Sequence, residues 1–267
     1  MKTTVVTSDG TFSCSTAPLQ GPLPQVARQA AAIGFDALQL TAARPEDLDI
    51  PRIQEAARSC SLRISGIATG RANSLYGLSL GAGEEERRQH TVRQVEALLD
   101  AAAQLDHAAI IIGSIRGRFS DAASPEEYLR QFTESLCQLL PRAEANQVPL
   151  WLEVFNHRDA DAFFRVRETA AYVRSFHSPW LRLQLDTGHL RMEGESPAQA
   201  VAEAGDLLAQ VDLTGPGRQV PQAGDFDFPG LIRALEEAAY SGYLSFEYRP
   251  EPEGAARGFQ YIQGLRR

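Results

Sequence analysis

Four acidic residues, Glu153, Asp186, Asp212 and Glu247, stand at or beside the ends of four short apolar runs: PLWLE, LRLQLD, AQVDL and YLSFE. Each is separated from the next by about one strand–helix unit. If the runs are consecutive strands, the four carboxylates converge on one patch. Like charges gathered in a partly desolvated place need protons or a cation to balance them. An oxygen donor set suits a hard divalent ion, Mg²⁺ or Mn²⁺ first, with Co²⁺ or Zn²⁺ as further candidates. A single acid at a strand end is usually a loop cap or a surface ion-pair partner. Four in register on consecutive strands point instead to metal or proton chemistry.

Two further residues fall in reach of that patch. His189 follows Asp186 by three residues in LDTGH, and Arg218 lies in TGPGR after the run that holds Asp212. Taken alone, each is an ordinary loop residue. Beside a carboxylate cluster, they offer a neutral donor and a cation for a substrate oxygen that gains charge. Arg116 and Arg118, in IIIGSIRGR, follow another strand and would bind a substrate carboxylate. His107 and His177 read as surface turn residues, and His90 as the solvated face of a helix. GxGxxG and Walker patterns are absent, so no nucleotide cofactor is indicated.

The elements that would position these groups alternate along the chain. Strands are predicted at 3–7, 37–40, 63–68, 108–112, 149–153, 181–186, 209–213 and 243–247. Helices are predicted at 23–33, 51–59, 84–105, 125–145, 161–176, 198–207, 229–239 and 255–265. Gly34 stops the first helix, Asp49 caps the second, and Ser124 with Pro125 opens the fourth. The stretch holding Gly70, Gly77 and Gly81 reads as a loop, as do LDTGH and the Pro- and Gly-dense 214–230. AQVDL is the least strand-like run, because Gln210 and Asp212 interrupt it. Strict alternation implies a parallel sheet. Eight units in this length favour a closed (β/α)8 TIM barrel forming one domain over 1–267. Catalytic groups in such barrels come from the C-terminal strand ends, where the four acids fall.

Composition narrows the partners. The chain has 267 residues, 43% of them hydrophobic, enough for a sizeable core. With 34 acidic and 26 basic side chains its formal charge is −8, which argues against a nucleic-acid partner. Three cysteines (Cys14, Cys60, Cys137) without a CxxC pair predict neither a disulfide framework nor a zinc cluster. No apolar run is long enough for a signal peptide or a membrane span, so a cytoplasmic location is expected.

These segments resemble the sugar isomerase/epimerase superfamily with the xylose-isomerase-like barrel, over nearly the whole chain. VVTSDGTF at the start, TGRANSLYGLSL at 69–80 and IIIGSIRGR at 110–118 resemble its 5-keto-L-gluconate epimerase branch. LEVFN at 152–156 resembles the family's LEPLN segment, with VF where PL is usual, and LDTGH at 185–189 its D-T-x-H segment. GYLSFEYRP at 242–250 resembles the end of hydroxypyruvate isomerases. The resemblance implies Glu153, Asp186 and Glu247 as metal ligands, with Glu153 and Glu247 also the acid–base pair. It implies His189, Arg218 and Asn156 as substrate contacts. The fourth ligand in the family is usually His or Gln; here Asp212 takes its place and adds a negative charge. Three outcomes are open: the metal stays, Asp212 is protonated, or the metal is lost.

The implied activity is divalent-metal-dependent isomerisation or epimerisation of a small keto-sugar or keto-sugar acid, by proton transfer α to the carbonyl through an enediolate. The alternatives are a non-catalytic sugar-binding barrel with a degraded metal site, or a lyase or decarboxylase using the same enediolate. An abasic-site endonuclease would need more histidine ligands and a basic surface; five histidines and the acidic charge oppose it. The resemblance also implies a homodimer or homotetramer.

Overall fold

The computed structural model describes residues 1–9 and 14–266; Gly10 to Phe12 of the VVTSDGTF segment lie outside these. Eight parallel strands close into a barrel: β1 (Lys2–Ser8), β3 (Ala37–Thr41), β4 (Arg63–Ala68), β5 (Ala109–Ile112), β6 (Leu150–Glu153), β7 (Leu181–Asp186), β8 (Leu208–Leu213) and β9 (Tyr243–Phe246). Neighbours pair in chain order, and β1 closes the ring on β9 through Lys2↔Tyr243 to Val5↔Phe246. A two-residue strand, β2 (Leu19–Gln20), pairs with the end of β1.

The connections are α1 (Leu23–Ile33), α2 (Ile50–Ser59), α3 (Gly70–Tyr76), α4 (Glu85–Ala103), α5 (Pro125–Asn146), α6 (Val166–Arg174), α7 (Thr187–Glu193), α8 (Pro197–Ala204), α9 (Phe228–Glu237) and α10 (Gly254–Leu265). Their starts follow the expected chemistry. The Asp49 carboxylate accepts from Arg52 N at 3.2 Å, and Ser124 Oγ from Glu127 N at 3.2 Å. Gly34 ends α1 with φ 107°, in the left-handed region.

Strand side chains alternate between two environments. Outward positions such as Ile110, Ile112, Leu150, Leu152, Leu183, Leu185, Val211 and Leu244 pack against the helices in the main core. Inward positions stack in layers. Ala109, Ile111, Trp151 and Ala209 form a small separate apolar cluster. Further inward positions carry a fully buried polar set, with Gln39, Gln184, Gln210 and Ser245, and then the acids. This explains AQVDL: the two polar residues that interrupt the run point inward, and β8 is an ordinary barrel strand.

Three expectations are corrected. The glycine-bearing stretch after β4 is not all loop: 70–76 forms α3, which Gly77 ends at φ 63°. The helix expected from 161 starts at Val166, because the Asp161 carboxylate is committed to the neighbouring loop, to Phe119 N (2.9 Å) and Arg118 Nη1 (3.2 Å). LDTGH opens helix α7 rather than a loop, since the Asp186 carboxylate caps it by accepting from His189 N at 3.0 Å. Among the described residues, no helix is long and apolar enough to cross a membrane.

Candidate active site

The strand register brings the acids together. Glu153 is the last residue of β6, Asp186 the last of β7, and Asp212 pairs directly with Asp186 across β7 and β8. Glu247 follows β9, its N–H still donating to Leu213 O at 3.3 Å. Ligand oxygens of Glu153, Asp186, Asp212 and Glu247 lie within 4.8 Å of one another. Glycine makes room for two of them. A Cβ on Gly113, beside β6, would come within 2.9 Å of Glu153 Oε2; one on Gly188 would come within 3.0 Å of Asp186 Oδ1.

Arg218 enters the cluster from the loop after β8. Its Nη1 donates to Asp186 Oδ2 at 2.5 Å and to Glu247 Oε2 at 3.2 Å. Its own backbone is left-handed, φ 62°, a conformation uncommon for a non-glycine residue and frequent at functional sites. Thr16 Oγ1 donates to the other oxygen of Glu247, Oε1, at 2.8 Å.

His189 is 4% exposed and its tautomer is set by Asn156. Asn156 Oδ1 accepts from Arg158 N and Asp159 N, so its amide nitrogen faces His189 Nδ1 at 2.6 Å. Nδ1 must then accept, and Nε2 carries the proton. Nε2 lies 3.5 Å from Glu153 Oε1 and 3.2 Å from Arg218 Nη2. Two donors therefore stand side by side at the carboxylates. Burial favours the neutral ring, but Asp186 and Glu153 outweigh it and hold the imidazole pKa above its ordinary value.

Electrostatics separates the acids. Burial works against the charged form of Asp186, yet Arg218 and His189 prevail and keep its pKa low. Burial, with Glu247, Asp186 and Glu153 as neighbours, pushes Asp212 well above the carboxylate range. Burial also raises Glu247, with Arg218 opposing. Asp212 receives two amide donors: Gln184 Nε2 to Oδ2 at 2.6 Å and Gln210 Nε2 to Oδ1 at 2.9 Å. Gln210 Nε2 also donates to Gln39 Oε1 at 2.7 Å. Four acidic groups facing one guanidinium need protons or a cation to balance them. A divalent cation bound by these oxygens would answer that imbalance, so the donor set fits a hard ion.

Two expected substrate contacts have other work. Arg116 does not reach the mouth to bind a carboxylate. It is 1% exposed, and it donates to Ile112 O (2.8 Å), Gly113 O (2.9 Å) and Glu153 O, tying the end of β5 to the end of β6. Its guanidinium lies 4.5 Å from the centre of the Phe155 ring, whose far neighbour is the His189 ring at 4.8 Å. Asn156 is fully buried, and its amide nitrogen bonds to Asp159 and His189. Arg118 pairs with Asp161 beside the site. His90, His107 and His177 are exposed, as expected.

Sequence reasoning missed Gln184, Gln210 and Thr16. A signal existed for the glutamines: each lies two residues before an acid on its strand, so it shares that acid's inward face. Thr16 lies in a short turn before β2, and nothing in its spacing announces it.

The profile of the xylose isomerase-like TIM barrel family matches residues 27–265. A 3-dehydro-D-guloside 4-epimerase of Escherichia coli (strain K12) is 24% identical over 85% of this chain and 87% of its own. A putative hydroxypyruvate isomerase of Streptomyces coelicolor is 25% identical over 96% of each chain. The crystal structure of a 3-keto-D-glucoside 4-epimerase from E. coli, in its apo form, superposes over 99% of both chains with a TM-score of 0.80 at 21% identity. With the barrel closed, the acids at its C-terminal mouth and the profile covering most of its length, this chain belongs to the xylose isomerase-like TIM barrel family.

Proposed function

We propose that the protein is a divalent-metal-dependent isomerase or epimerase of a small keto-sugar or keto-sugar acid. The observation that carries this reading is two glutamates flanking two aspartates in barrel order, with two hydrogen-bond donors beside them. The full-length relatives named as an epimerase and an isomerase support it. When bound by Glu153, Asp186, Asp212 and Glu247, a divalent ion supplies Lewis-acid polarisation of a carbonyl and balances charge.

This chain's own groups do the rest. One of Glu153 and Glu247 removes the proton from the carbon α to the carbonyl, and the other returns it on the opposite face. Their placement on β6 and after β9, either side of Asp186 and Asp212, suits a planar intermediate held between them. His189 Nε2–H and the Arg218 guanidinium donate to the oxygen that gains charge. The raised pKa of Glu247 suits the acid partner. The Asn156–His189 bond keeps the donor proton on the reacting side.

The test is deuterium exchange. Small ketoses and keto-sugar acids incubated with Mn²⁺-loaded protein in D₂O would exchange the proton α to the carbonyl, read by NMR. Exchange lost in Glu153→Gln and Glu247→Gln supports the reading, and no exchange on any of these substrates overturns it.

A second reading is a sugar-binding barrel without turnover. It is favoured by the contacts of Arg218, which already neutralise Asp186 and Glu247 with no ion. Elemental analysis decides between them. Stoichiometric metal in the native protein supports the enzyme; metal gained only in Asp212→His supports the degraded site.

A further inference from the structure

A cavity of about 340 Å³ opens beside Glu247, lined among others by Cys14, Thr16, Thr41, Arg71 and Ser74. Its size lies at the lower end of small-molecule sites. It is continuous with the candidate active site, because Glu247 lines it and Thr16 bonds to Glu247. Its walls come from the segment before β2, the ends of β3 and β4, and α3, a side of the mouth that the proton chemistry leaves unused.

The lining is hydroxyl-rich and carries one cation. Hydroxyls of Thr16, Thr41 and Ser74 suit the hydroxyl groups of a sugar chain. Arg71 is the arginine that lines this cavity, and the arginines beside the acids and in the neighbouring loops are engaged elsewhere. Arg218 pairs with Asp186 and Glu247, Arg118 with Asp161, Arg44 with Asp47, and Arg116 with backbone carbonyls. The Arg71 guanidinium has no ion-pair or hydrogen-bond partner among the described residues. Arg71 lines this wall of the cavity together with Ser74 and Cys14.

A neutral ketose would not use that charge. An anion would, because Arg71 is the cation lining this cavity. One guanidinium matches one planar carboxylate through two parallel hydrogen bonds. A phosphate dianion usually meets more than one cation. We infer that this cavity is the recognition end of the substrate site, where Arg71 binds the terminal carboxylate of a polyhydroxy keto acid. The inference deepens the epimerase reading and rests on it for the reacting end of the substrate, though not for the charge of the other end.

The test uses binding, so that it does not depend on turnover. The full-length, Mn²⁺-loaded protein is titrated calorimetrically with D-gluconate, with its uncharged counterpart D-glucitol, and with D-glucitol 6-phosphate. The expected result is D-gluconate binding at least about tenfold tighter than D-glucitol. Arg71→Met should remove that advantage and Arg71→Lys should keep part of it, while circular dichroism and metal content stay unchanged. Equal affinities, binding of none of the three, tightest binding of the phosphate, or a preference that survives Arg71→Met would each overturn the inference. Deuterium exchange runs alongside. Exchange on neutral ketoses with no D-gluconate preference sinks the carboxylate subsite and leaves the epimerase. An Arg71-dependent preference without exchange on any keto-sugar acid does the reverse.

Discussion

The two halves of the barrel mouth are built from different chemistry. Over β6 to β9, the strand ends carry Glu153, Asp186, Asp212 and Glu247, drawn together and partly balanced by Arg218. Over β3 and β4, the strand ends are Thr41 and Ala68, and the nearby cation, Arg71, is unpaired among the described residues. The acidic half is preorganised: Arg218 bridges Asp186 and Glu247, Gln184 and Gln210 hold Asp212, and strand register fixes the set. The other half is open and lined by hydroxyls. Preorganisation favours charge stabilisation in a reaction, and an open polar wall favours recognition.

The largest break in this contrast should come from the acids. Glu153→Gln or Glu247→Gln should slow α-proton exchange by about 10²–10⁴-fold, with the fold intact by circular dichroism. A loss of that size from Arg71→Met on a neutral ketose would mean the halves are not separate.

Arg116 is the strut that joins β5 to β6, so it should show in stability. Arg116→Met removes the side-chain donors to Ile112 O, Gly113 O and Glu153 O, of which Gly113 O keeps the backbone N–H of residue 116, and the unfolding free energy should fall by about 2 kcal/mol in a denaturant titration. A change near zero would show that Glu153 is held by the strand alone.

Gln184 and Gln210 test how the acidic half tolerates an aspartate at 212. Gln184→Leu and Gln210→Leu should each weaken divalent-ion affinity by about 10–100-fold, measured by competition with a chelator dye. The smallest effect is expected at Arg118, whose ion pair with Asp161 is partly exposed. Arg118→Ala should cost no more than about 1 kcal/mol and leave exchange unchanged.

The eight strands and the convergence of Glu153, Asp186, Asp212 and Glu247 were legible because they rest on periodicity, and a barrel turns periodicity into position. What stayed hidden depended on partners distant in sequence. Arg116 looks like a substrate clamp in IIIGSIRGR, and only the fold shows that backbone carbonyls of β5 and β6 have already claimed it. LDTGH reads as a loop because helix α7 is short and its cap is itself a site carboxylate. Asp161 opens no helix, because its carboxylate serves the loop that holds Arg118 and Phe119. Gln210 was visible but weakened the strand it belongs to, since an inward polar residue is unexpected until the layer of glutamines is seen.

Trp151 gives the site a reporter. It lies inside the barrel two residues before Glu153, so both side chains face the same interior, and its indole N–H has no partner among the described residues. The chain has two tryptophans, and the other, Trp180, is partly exposed outside the barrel, beside the groove between α5 and α6. In a Trp180→Phe background, emission would come from a single fluorophore directly beneath the carboxylates. Filling or emptying the site could then be followed as an optical signal in real time, with no substrate and no label.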